Sequence, residues 1–425
     1  MKEVKLQKYS AYKDSGVEWL GEIPEHWEAR KLKHIFFEKK KVTNPKLNCG
    51  SISFGKVVTK DDEKVPLATK ASYQEVLKGD FLINPLNLNY DLISLRIALS
   101  EIDVVVSSGY IVLNNQIEIN KSYYKWLLHI YDVAYMKLLG SGVRQTINFN
   151  HIADSILTFP PIEEQTGIAN FLDSKTAQIE NAIAIKQKQI ELLKERRQVL
   201  IHRAVTRGLN PDVKLKDSGV EWIGEIPEGW EVKALKFCTK IFRGKFTHRP
   251  RNDERLYDGN YPFFQTGDVA RAGKFLFEYR QTLNDFGLRV STLFPKGTIV
   301  ITIAANIGDI SILDIDACFP DSIVGFEPMD FVDRDFLYNS LLVMKEQFMS
   351  STIKNTQMNL NVDRIGVNSI AIPSKKEQLA INEYIEIATT KISTAITLKE
   401  KEIEKLKEYK SVLINEAVSG KIKVN

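Results

Sequence analysis

The sequence contains few of the residues that metal sites and disulfide scaffolds require. Its 425 residues include three cysteines, Cys49, Cys238 and Cys318, and no two of them form a CxxC pair. The six histidines show neither HxxxH nor HxH spacing. Zinc sites and disulfide frameworks need clustered ligands. We therefore expect no bound metal ion, no disulfide framework and three buried or unreactive thiols.

Long hydrophobic runs are also missing. The apolar stretch at 298–307 is far shorter than the roughly 20 residues of a transmembrane helix, and no apolar signal stretch follows Met1. Hydrophobic residues make up 44% of the chain and charged residues 26%, as in ordinary folded proteins. These features predict a cytoplasmic protein of roughly two to four domains that does not contact a membrane.

Catalytic motifs are poorly represented. Residues 50–56 satisfy the pattern GxxxxGK, but Val57 stands where a phosphate-binding loop has its magnesium-binding Ser or Thr. Asn84-Pro85 matches the start of the NPP-aromatic loop of adenine methyltransferases, but Leu86 and Asn87 depart from that motif. We therefore expect no catalytic residue on this chain.

The net charge has little bias of either sign. It is +4, from 58 basic and 54 acidic residues, which by itself does not indicate nucleic-acid binding. The distribution is uneven: residues 30–78 hold 12 Lys and Arg against 5 acidic residues, and residues 233–296 hold 13 against 6. Residues 297–371 hold 4 basic and 10 acidic residues. This polarity favours one face that meets phosphates, although basic runs are also common on solvated loops.

An internal repeat is the strongest pattern in the sequence. Residues 13–27, KDSGVEWLGEIPEHW, return as residues 216–230, KDSGVEWIGEIPEGW, with 13 of 15 positions identical. A second pair of similar segments starts near Pro160 and Pro373 and extends to Val205 and Val418. The segments between these matching ends, roughly 28–158 and 231–371, are unlike in sequence. Similar ends therefore enclose two different middle segments.

The second pair of segments predicts two long helices, from about Glu164 to Val205 and from about Glu377 to Val418. Their apolar residues alternate at spacings of four and three, which is typical of a coiled coil. Charged residues interrupt the seam at matching positions in both copies, Lys186 with Lys399 and Arg197 with Lys410. We therefore expect the two helices to pack on each other; two separate surface helices are the alternative. The predicted seam residues are Ile179, Ile183, Lys186, Ile190, Leu193, Leu200, Ile392, Ile396, Lys399, Ile403, Leu406 and Leu413.

These patterns predict an α+β fold with an internal pseudo-two-fold repeat. Two mixed α/β domains would be separated by two long antiparallel coiled-coil helices. Within the middle segments we expect strands after Asp80 and Gly297, and short helices near 123–139 and 336–349.

Two kinds of residue are candidates for DNA contact. Basic clusters supply charge for phosphates and forked donors for guanine, whereas Arg, Gln and Asn before the long helices can read base edges. Polar turns capped by their own side chains remain the alternative for the second group. The candidates are Lys39, Lys40, Lys41, Arg144, Gln145, Asn148, Arg243, Lys245, Arg249, Arg251, Lys354, Asn355, Gln357 and Asn359.

The two GVEW(L/I)GEIPE(H/G)W segments, each followed by a variable segment and a helix that begins with Glu-Gln, resemble the specificity subunits of Type I restriction-modification enzymes. Residues 160–165, PPIEEQ, are close to the family pattern, whereas residues 373–378, PSKKEQ, lack the second proline and the first acidic residue. Residues 262–268 and 296–298 also look like strands of the family's target recognition domains. The resemblance extends over essentially the whole chain.

The resemblance implies six segments. They are a repeat segment at 1–27, a first target recognition domain at 28–160, a spacer helix at 161–207, a linker with the second repeat at 208–230, a second recognition domain at 231–373, and a spacer helix with its tail at 374–425. Each recognition domain would read one half of a bipartite double-stranded DNA site.

The partners and cofactors are likewise implied by the resemblance. The helices would hold two methyltransferase subunits, and restriction subunits with motor and nuclease activity would join them. S-adenosylmethionine, ATP and Mg would be bound by those partners and no cofactor by this chain. Two alternatives stay open: a coiled-coil assembly scaffold whose end domains bind protein or carbohydrate, and a fused enzyme with a degenerate methyltransferase site.

The predicted seam leads to a test of whether the helices set the distance between half-sites. Inserting seven residues after Leu193 and seven after Leu406 keeps the seam in register and adds about 10.5 Å, or about three base pairs at 3.4 Å each. We expect methylome sequencing to return a spacer longer by about three base pairs. Insertion in one helix alone should abolish methylation. Active methylation with an unchanged spacer would contradict the prediction.

Overall fold

The computed structural model describes residues 7–86, 95–136, 147–304, 307–350 and 362–424. The chain divides into two units, each of which combines one middle segment with parts of both long helices. Unit 1 comprises Met1–Gln187 and Glu400–Asn425, and unit 2 comprises Lys188–Lys399.

Strands of unit 1 are short and are interspersed with short helices. The strands are β1 (Tyr12–Asp14), β2 (Glu22–Pro24), β3 (Glu28–Lys31), β4 (Phe36–Glu38), β5 (Gly50–Ser53), β6 (Lys56–Thr59), β7 (Gln74–Val76), β8 (Phe81–Ile83), β9 (Ile97–Leu99), β10 (Val104–Val106), β11 (Ile111–Asn115) and β12 (Ile156–Phe159). The helices are α1 (Leu32–Ile35), α2 (Leu67–Lys70), α3 (Lys121–Ala134) and α4 (Phe149–Ala153), followed by the long α5 (Ile162–Arg207).

Unit 2 follows the same order with more strands. Its strands are β13 (Leu215–Asp217), β14 (Glu225–Pro227), β15 (Glu231–Ala234), β16 (Thr239–Arg243), β17 (Tyr257–Phe263), β18 (Phe275–Leu276), β19 (Gln281–Leu283), β20 (Leu293–Phe294), β21 (Ile299–Thr302), β22 (Ile310–Leu313), β23 (Ala317–Cys318), β24 (Ile323–Pro328) and β25 (Ser369–Ile372). The helices are α6 (Leu235–Cys238), α7 (Thr266–Arg271), α8 (Asp285–Arg289), α9 (Arg334–Val343), α10 (Lys345–Ser350), α11 (Val362–Gly366) and the long α12 (Lys375–Val418).

Each middle segment contains an antiparallel sheet with the same strand order, although the two sequences differ. In unit 1 its strand order is β4-β11-β8-β9, and in unit 2 the equivalent strands run β16-β24-β21-β22. Beyond this sheet, unit 1 has two two-stranded sheets, β5-β6 and β7-β10. Unit 2 has β18, parallel to β22, and a four-stranded sheet of order β19-β17-β23-β20. The units thus differ by additions to a common sheet.

Glycine explains part of the identity between the two repeat segments. Gly16 and Gly219 have φ values of +78° and +70°, a backbone region that side chains with a Cβ rarely adopt. The turn is closed by the N–H of the preceding serine, Ser15 or Ser218, which donates to a carbonyl six residues later at 3.0 Å in both copies. The two segments therefore need glycine at the same positions.

The Glu-Gln pair at the start of each long helix joins three parts of a unit. In unit 1 the Gln165 Nε2 donates to the Pro160 carbonyl at 2.8 Å, and its Oε1 accepts from the N–H of Asn120, the N-cap of α3, at 2.9 Å. Gln378 makes the same two contacts, with Pro373 at 3.0 Å and with Asp333, the N-cap of α9, at 2.6 Å. Both glutamines are buried.

The neighbouring glutamate accepts from the tryptophan that ends the repeat segment. Trp27 Nε1 donates to Glu164 at 3.0 Å, and Trp230 Nε1 donates to Glu377 at 3.4 Å. The second copy has Ser374 and Lys376 where the first has Pro161 and Glu163. There the Ser374 hydroxyl donates to the Glu377 carboxylate at 2.8 Å. The departure is therefore compensated locally.

The long helices begin and end within two residues of the predicted limits. Within unit 1 they run antiparallel, because Glu180 pairs with Lys410 at 2.6 Å and Lys186 pairs with Glu402 at 2.5 Å. Within unit 2, Ile201 and Val205 of α5 share a core with Ile381 and Ile385 of α12. Every predicted seam residue is buried or half-buried, namely Ile179, Ile190, Ile392, Ile396, Ile403 and Leu413 (buried), and Ile183, Lys186, Leu193, Leu200, Lys399 and Leu406 (half-buried).

Each unit has its own main hydrophobic core. In unit 1 the core surrounds Trp27, Phe36, Phe81 and Tyr124, and in unit 2 it surrounds Trp230, Phe326 and Phe336. Helices α3 and α9 begin two residues before the predicted starts at 123 and 336. Helix α3 ends at Ala134, and residues 137–139 of the predicted helix lie outside the described residues; α9 ends at Val343, and α10 follows from Lys345. Strands β8 and β21 begin directly after Asp80 and Thr298.

The two ends of the described chain meet in unit 1. The Lys423 N–H donates to the Gln7 carbonyl at 2.7 Å, and Tyr12 Oη donates to the Lys421 carbonyl at 3.4 Å. In unit 2 the covalent linker from Gly208 to Leu215 makes the equivalent connection between the long helix and the repeat.

This arrangement predicts that the chain tolerates circular permutation. A variant that links Val424 to Gln7 and opens the exposed bond between Asn210 and Pro211 should fold, because no strand or helix is interrupted. We expect its Tm by circular dichroism to lie within about 4 °C of the parent value. A matched permutant opened inside α5, after Leu193, should be strongly destabilised. Equal stability of the two permutants would contradict the prediction.

Candidate nucleic-acid interface

Three of the predicted DNA-binding arginines converge in unit 2 on the turn that holds Asp321. Arg251 Nη2 lies 2.5 Å from Asp321 Oδ1, and Arg249 Nη2 lies 3.7 Å from Oδ2. Arg243 Nε donates to the Asp321 carbonyl oxygen at 2.5 Å. Lys245 is exposed next to them in the chain. The fold thus brings these arginines together, and the local charge of three guanidinium groups exceeds that of the one carboxylate.

The loop that carries Arg249 and Arg251 is braced by Asp253. The Arg255 side chain donates to both Asp253 oxygens, at 3.0 and 2.7 Å, and His248 Nε2 lies 2.9 Å from Oδ2. The Arg255 guanidinium, the Arg255 N–H and His248 hold the pKa of Asp253 well below its usual range. Asp253 therefore stays ionised and keeps the loop folded.

The three consecutive lysines of unit 1 have different environments. Lys39 Nζ lies 2.5 Å from the carboxylate of Asp80, which is 1% exposed and also accepts from Asn114 Nδ2 at 2.8 Å. Lys41 Nζ donates to the Ser108 carbonyl at 2.7 Å, and Lys40 is exposed. The geometry gives Lys39 a structural partner and leaves Lys40 open to solvent.

The residues before the long helices are described only in part. Asn148 is the N-cap of α4: its side chain accepts from the His151 N–H at 3.2 Å, and His151 Nδ1 accepts from the Asn148 N–H at 3.2 Å. This capping box engages the side-chain oxygen of Asn148. The other candidates in this group, Arg144, Gln145, Lys354, Asn355, Gln357 and Asn359, lie outside the described residues.

Sequence reasoning missed a buried ion pair in unit 1, between Arg96 and Asp132. Arg96 Nε lies 3.1 Å from Asp132 Oδ1, and the Arg96 backbone N–H donates to Oδ2 at 2.5 Å. Both side chains are buried, and among the described residues Nη1 and Nη2 of Arg96 have no hydrogen-bond partner. It also missed Asp321, because no spacing rule relates an acidic residue to arginines 70 or more positions away.

The described residues hold no cluster of three or more His, Cys, Asp or Glu side chains that could bind a metal ion. All three cysteines are free and buried, and burial raises the pKa of the Cys238 thiol to about 11. In the same part of the chain, no helix combines the length and the apolar character needed to cross a bilayer.

The duplicated frame is matched by a known family. The model of the Type I restriction modification DNA specificity domain matches residues 24–194 and 227–408, which together are most of the chain. The chain belongs to this specificity family. The family predicted from the repeat and helix motifs is therefore confirmed, as is the α+β fold class.

Relatives of this specificity family match along much of the chain. The MjaX specificity subunit of a type I restriction enzyme from Methanocaldococcus jannaschii is 26% identical over 428 residues, which cover 95% of this chain and 96% of that protein. The MjaVIII specificity subunit of the same organism is 27% identical over 288 residues, or 63% of this chain and 62% of that protein.

Two solved structures have the same fold. One is a chain from a structural study of the assembly and conformational transition of the type I R-M system, with a TM-score of 0.71, 15% identity and coverage of 93% of this chain and 98% of that chain. The other is the HsdS subunit from Thermoanaerobacter tengcongensis, with a TM-score of 0.54, 15% identity and coverage of 94% and 98%.

The environments of Lys39 and Lys40 predict opposite consequences of their removal. Lys39→Ala leaves the buried carboxylate of Asp80 without its cation and should lower the free energy of unfolding by about 3–5 kcal/mol in urea titrations. Lys40→Ala is the matched control and should change it by less than about 0.5 kcal/mol. Similar unfolding midpoints for the two variants would show that the ion pair does not support the fold.

Proposed function

We propose that this specificity-family chain is the non-catalytic DNA-recognition subunit of a Type I restriction-modification complex. Each middle segment reads one half of a bipartite double-stranded DNA site. The long helices hold two methyltransferase subunits, and restriction subunits complete the assembly. Methyl transfer from S-adenosylmethionine to adenine N6, and ATP- and Mg-dependent cleavage, belong to those partners.

One observation carries this proposal: a frame of two similar repeat segments and two similar long helices holds two middle segments that differ. The Gln165 and Gln378 contacts are the same in both units, whereas the sheets beyond the common one differ and unit 2 has its own arginine cluster. A common frame suits two copies of one partner, and unlike segments suit two unlike half-sites.

Charge and exposure support DNA as the ligand of the segments. In unit 2 the side chains of Arg249 and Arg251 are 55% and 47% exposed. Exposed guanidinium groups bind phosphate oxygens and can also read guanine. Relatives with 26% and 27% identity are named as specificity subunits of type I restriction enzymes, which agrees with this ligand.

The exposed residues that recur in both copies support one kind of partner bound twice. Glu18 and Glu25 of the first repeat segment are exposed, and so are their counterparts Glu221 and Glu228. Neither the turn nor the core of the segment requires an acidic residue there. A second copy of the same binding partner gives a reason for their identity.

Exposed apolar residues recur at equivalent positions on the two long helices. Ile185 and Val199 of α5 are 52% and 61% exposed, and the residues 213 positions later, Leu398 and Val412 of α12, are 55% and 47% exposed. Each pair is separated by two heptads and so lies on one face of its helix. Exposed apolar residues in such a pattern are suited to packing against the helices of another subunit.

The proposal predicts that recognition is modular. Replacing residues 28–158 with the corresponding segment of a relative should change one half of the methylated sequence and leave the other half and the spacer unchanged. The experiment expresses the chimera with the methyltransferase subunit and sequences the methylome.

The matched control replaces residues 231–371 instead and should change the other half alone. Changes in both halves, or an unchanged motif in both chimeras, would contradict the assignment of one half-site to each segment. A chain that supports no methylation with any methyltransferase subunit of its source would contradict the proposed function itself.

A further inference from the structure

The fold of unit 2 does not require the contact of Asp321 with Arg249 and Arg251. Its carboxylate is 36% exposed and meets Arg251 at 2.5 Å and Arg249 at 3.7 Å. A surface ion pair of this kind adds little stability. Its position among Arg243, Arg249 and Arg251 is therefore better explained by a function than by stability.

Asp321 is held on a firm turn. It lies between β23 and β24, where the Ile323 N–H donates to the Pro320 carbonyl at 3.0 Å. The chain after β16 fastens this turn, since the N–H groups of Gly244 and Lys245 donate to the carbonyls of Ile323 and Phe319 at 2.8 and 3.1 Å. These bonds hold the backbone of Asp321 beside the arginines.

Close packing at Gly244 adds a second constraint on the turn. A Cβ built on this glycine would lie 2.2 Å from the Pro320 carbonyl oxygen, so only glycine allows the two segments to approach so closely. The buried Phe319 stacks on Phe294 with ring centroids 4.1 Å apart. The position of Asp321 is thus determined by the surrounding fold.

The arginines are held in position from the other side. Arg249 Nη1 donates to the carbonyls of Phe246 and His248, both at 2.8 Å. The other acidic residue of this loop, Asp253, is engaged by Arg255 and His248. Among the ion pairs of the described residues, Asp321 is the carboxylate that faces Arg249 and Arg251.

A carboxylate and a phosphate offer a guanidinium group the same kind of acceptor, namely charged oxygens placed side by side. A phosphate of the DNA backbone that binds Arg249 and Arg251 competes with the Asp321 carboxylate for the N–H groups that face it, and the two anions also repel each other. Asp321 therefore penalises every DNA backbone equally, whatever its base sequence.

We propose that the Asp321 carboxylate competes with DNA phosphate for Arg249 and Arg251 and so lowers the affinity of unit 2 for DNA of any sequence. The proposal rests on the proposed DNA-recognition function. The penalty is the same for all sequences, so it leaves the ratio of specific to non-specific affinity unchanged. It instead lowers the amount of the chain that is held on DNA offering phosphate contacts alone.

The test measures binding of the full chain to a fluorescent duplex of arbitrary sequence by anisotropy over a range of salt concentrations. Asp321→Asn removes the competing charge and should tighten binding about 3–10-fold near 0.1 M salt, with a log–log salt slope steeper by about one unit. Asp321→Glu retains the charge and should bind like the parent chain.

Two matched variants separate this contact from a general charge effect. Glu278→Gln makes the same change in net charge at an exposed residue of unit 2 and should leave the affinity within about twofold of the parent chain. Arg251→Ala should weaken binding, and combining it with Asp321→Asn should remove most of the gain. Asp321→Ala repeats the loss of charge, and circular dichroism checks that each variant is folded.

The possible outcomes distinguish the two hypotheses. Equal gains for Asp321→Asn and Glu278→Gln, or no gain for folded Asp321→Asn and Asp321→Ala, would overturn the role of Asp321 while leaving DNA recognition intact. Failure of the parent chain, with and without its methyltransferase subunit, to bind any DNA would overturn the proposed function and this inference with it.

Discussion

The buried amides of Gln165 and Gln378 connect the parts of each unit. Each amide donates to the carbonyl of a proline just before the long helix, Pro160 or Pro373, and accepts from the N-cap of the short helix that packs on the sheet. A buried amide left without partners costs about 1–3 kcal/mol, so these contacts fix how the middle segment joins the long helix. The neighbouring Glu164 and Glu377 add the tryptophan of the repeat to the same junction.

This junction lets the middle segments vary without loss of the frame. Strands β3 and β12 in unit 1, and β15 and β25 in unit 2, close each middle segment by pairing its two ends. What lies between them needs only to retain the four-stranded antiparallel sheet. Unit 1 adds two two-stranded sheets, unit 2 adds a four-stranded sheet and a parallel strand, and both keep the same strand order in the first sheet.

Basic residues that look alike in sequence have different roles in the two units. Lys39 neutralises the buried Asp80, and the cost of leaving that carboxylate alone makes it part of the fold. Arg249 and Arg251 are exposed and share one carboxylate, so most of their charge is available to a ligand. Local charge counts therefore locate basic regions but do not separate structural lysines from residues that can contact DNA.

The sequence by itself determined the repeat, the two long helices, the family and the buried helix positions, because these depend on local periodicity and on residues such as Gly16 and Gly219 that a turn requires. It also indicated the basic segments. Tertiary structure alone decided that the unlike middle segments form sheets of the same strand order, that Arg96 pairs with the buried Asp132, and that Asp321 contacts arginines far away in the chain. These features depend on strand pairing and packing between distant residues, for which neither spacing nor composition carries a signal.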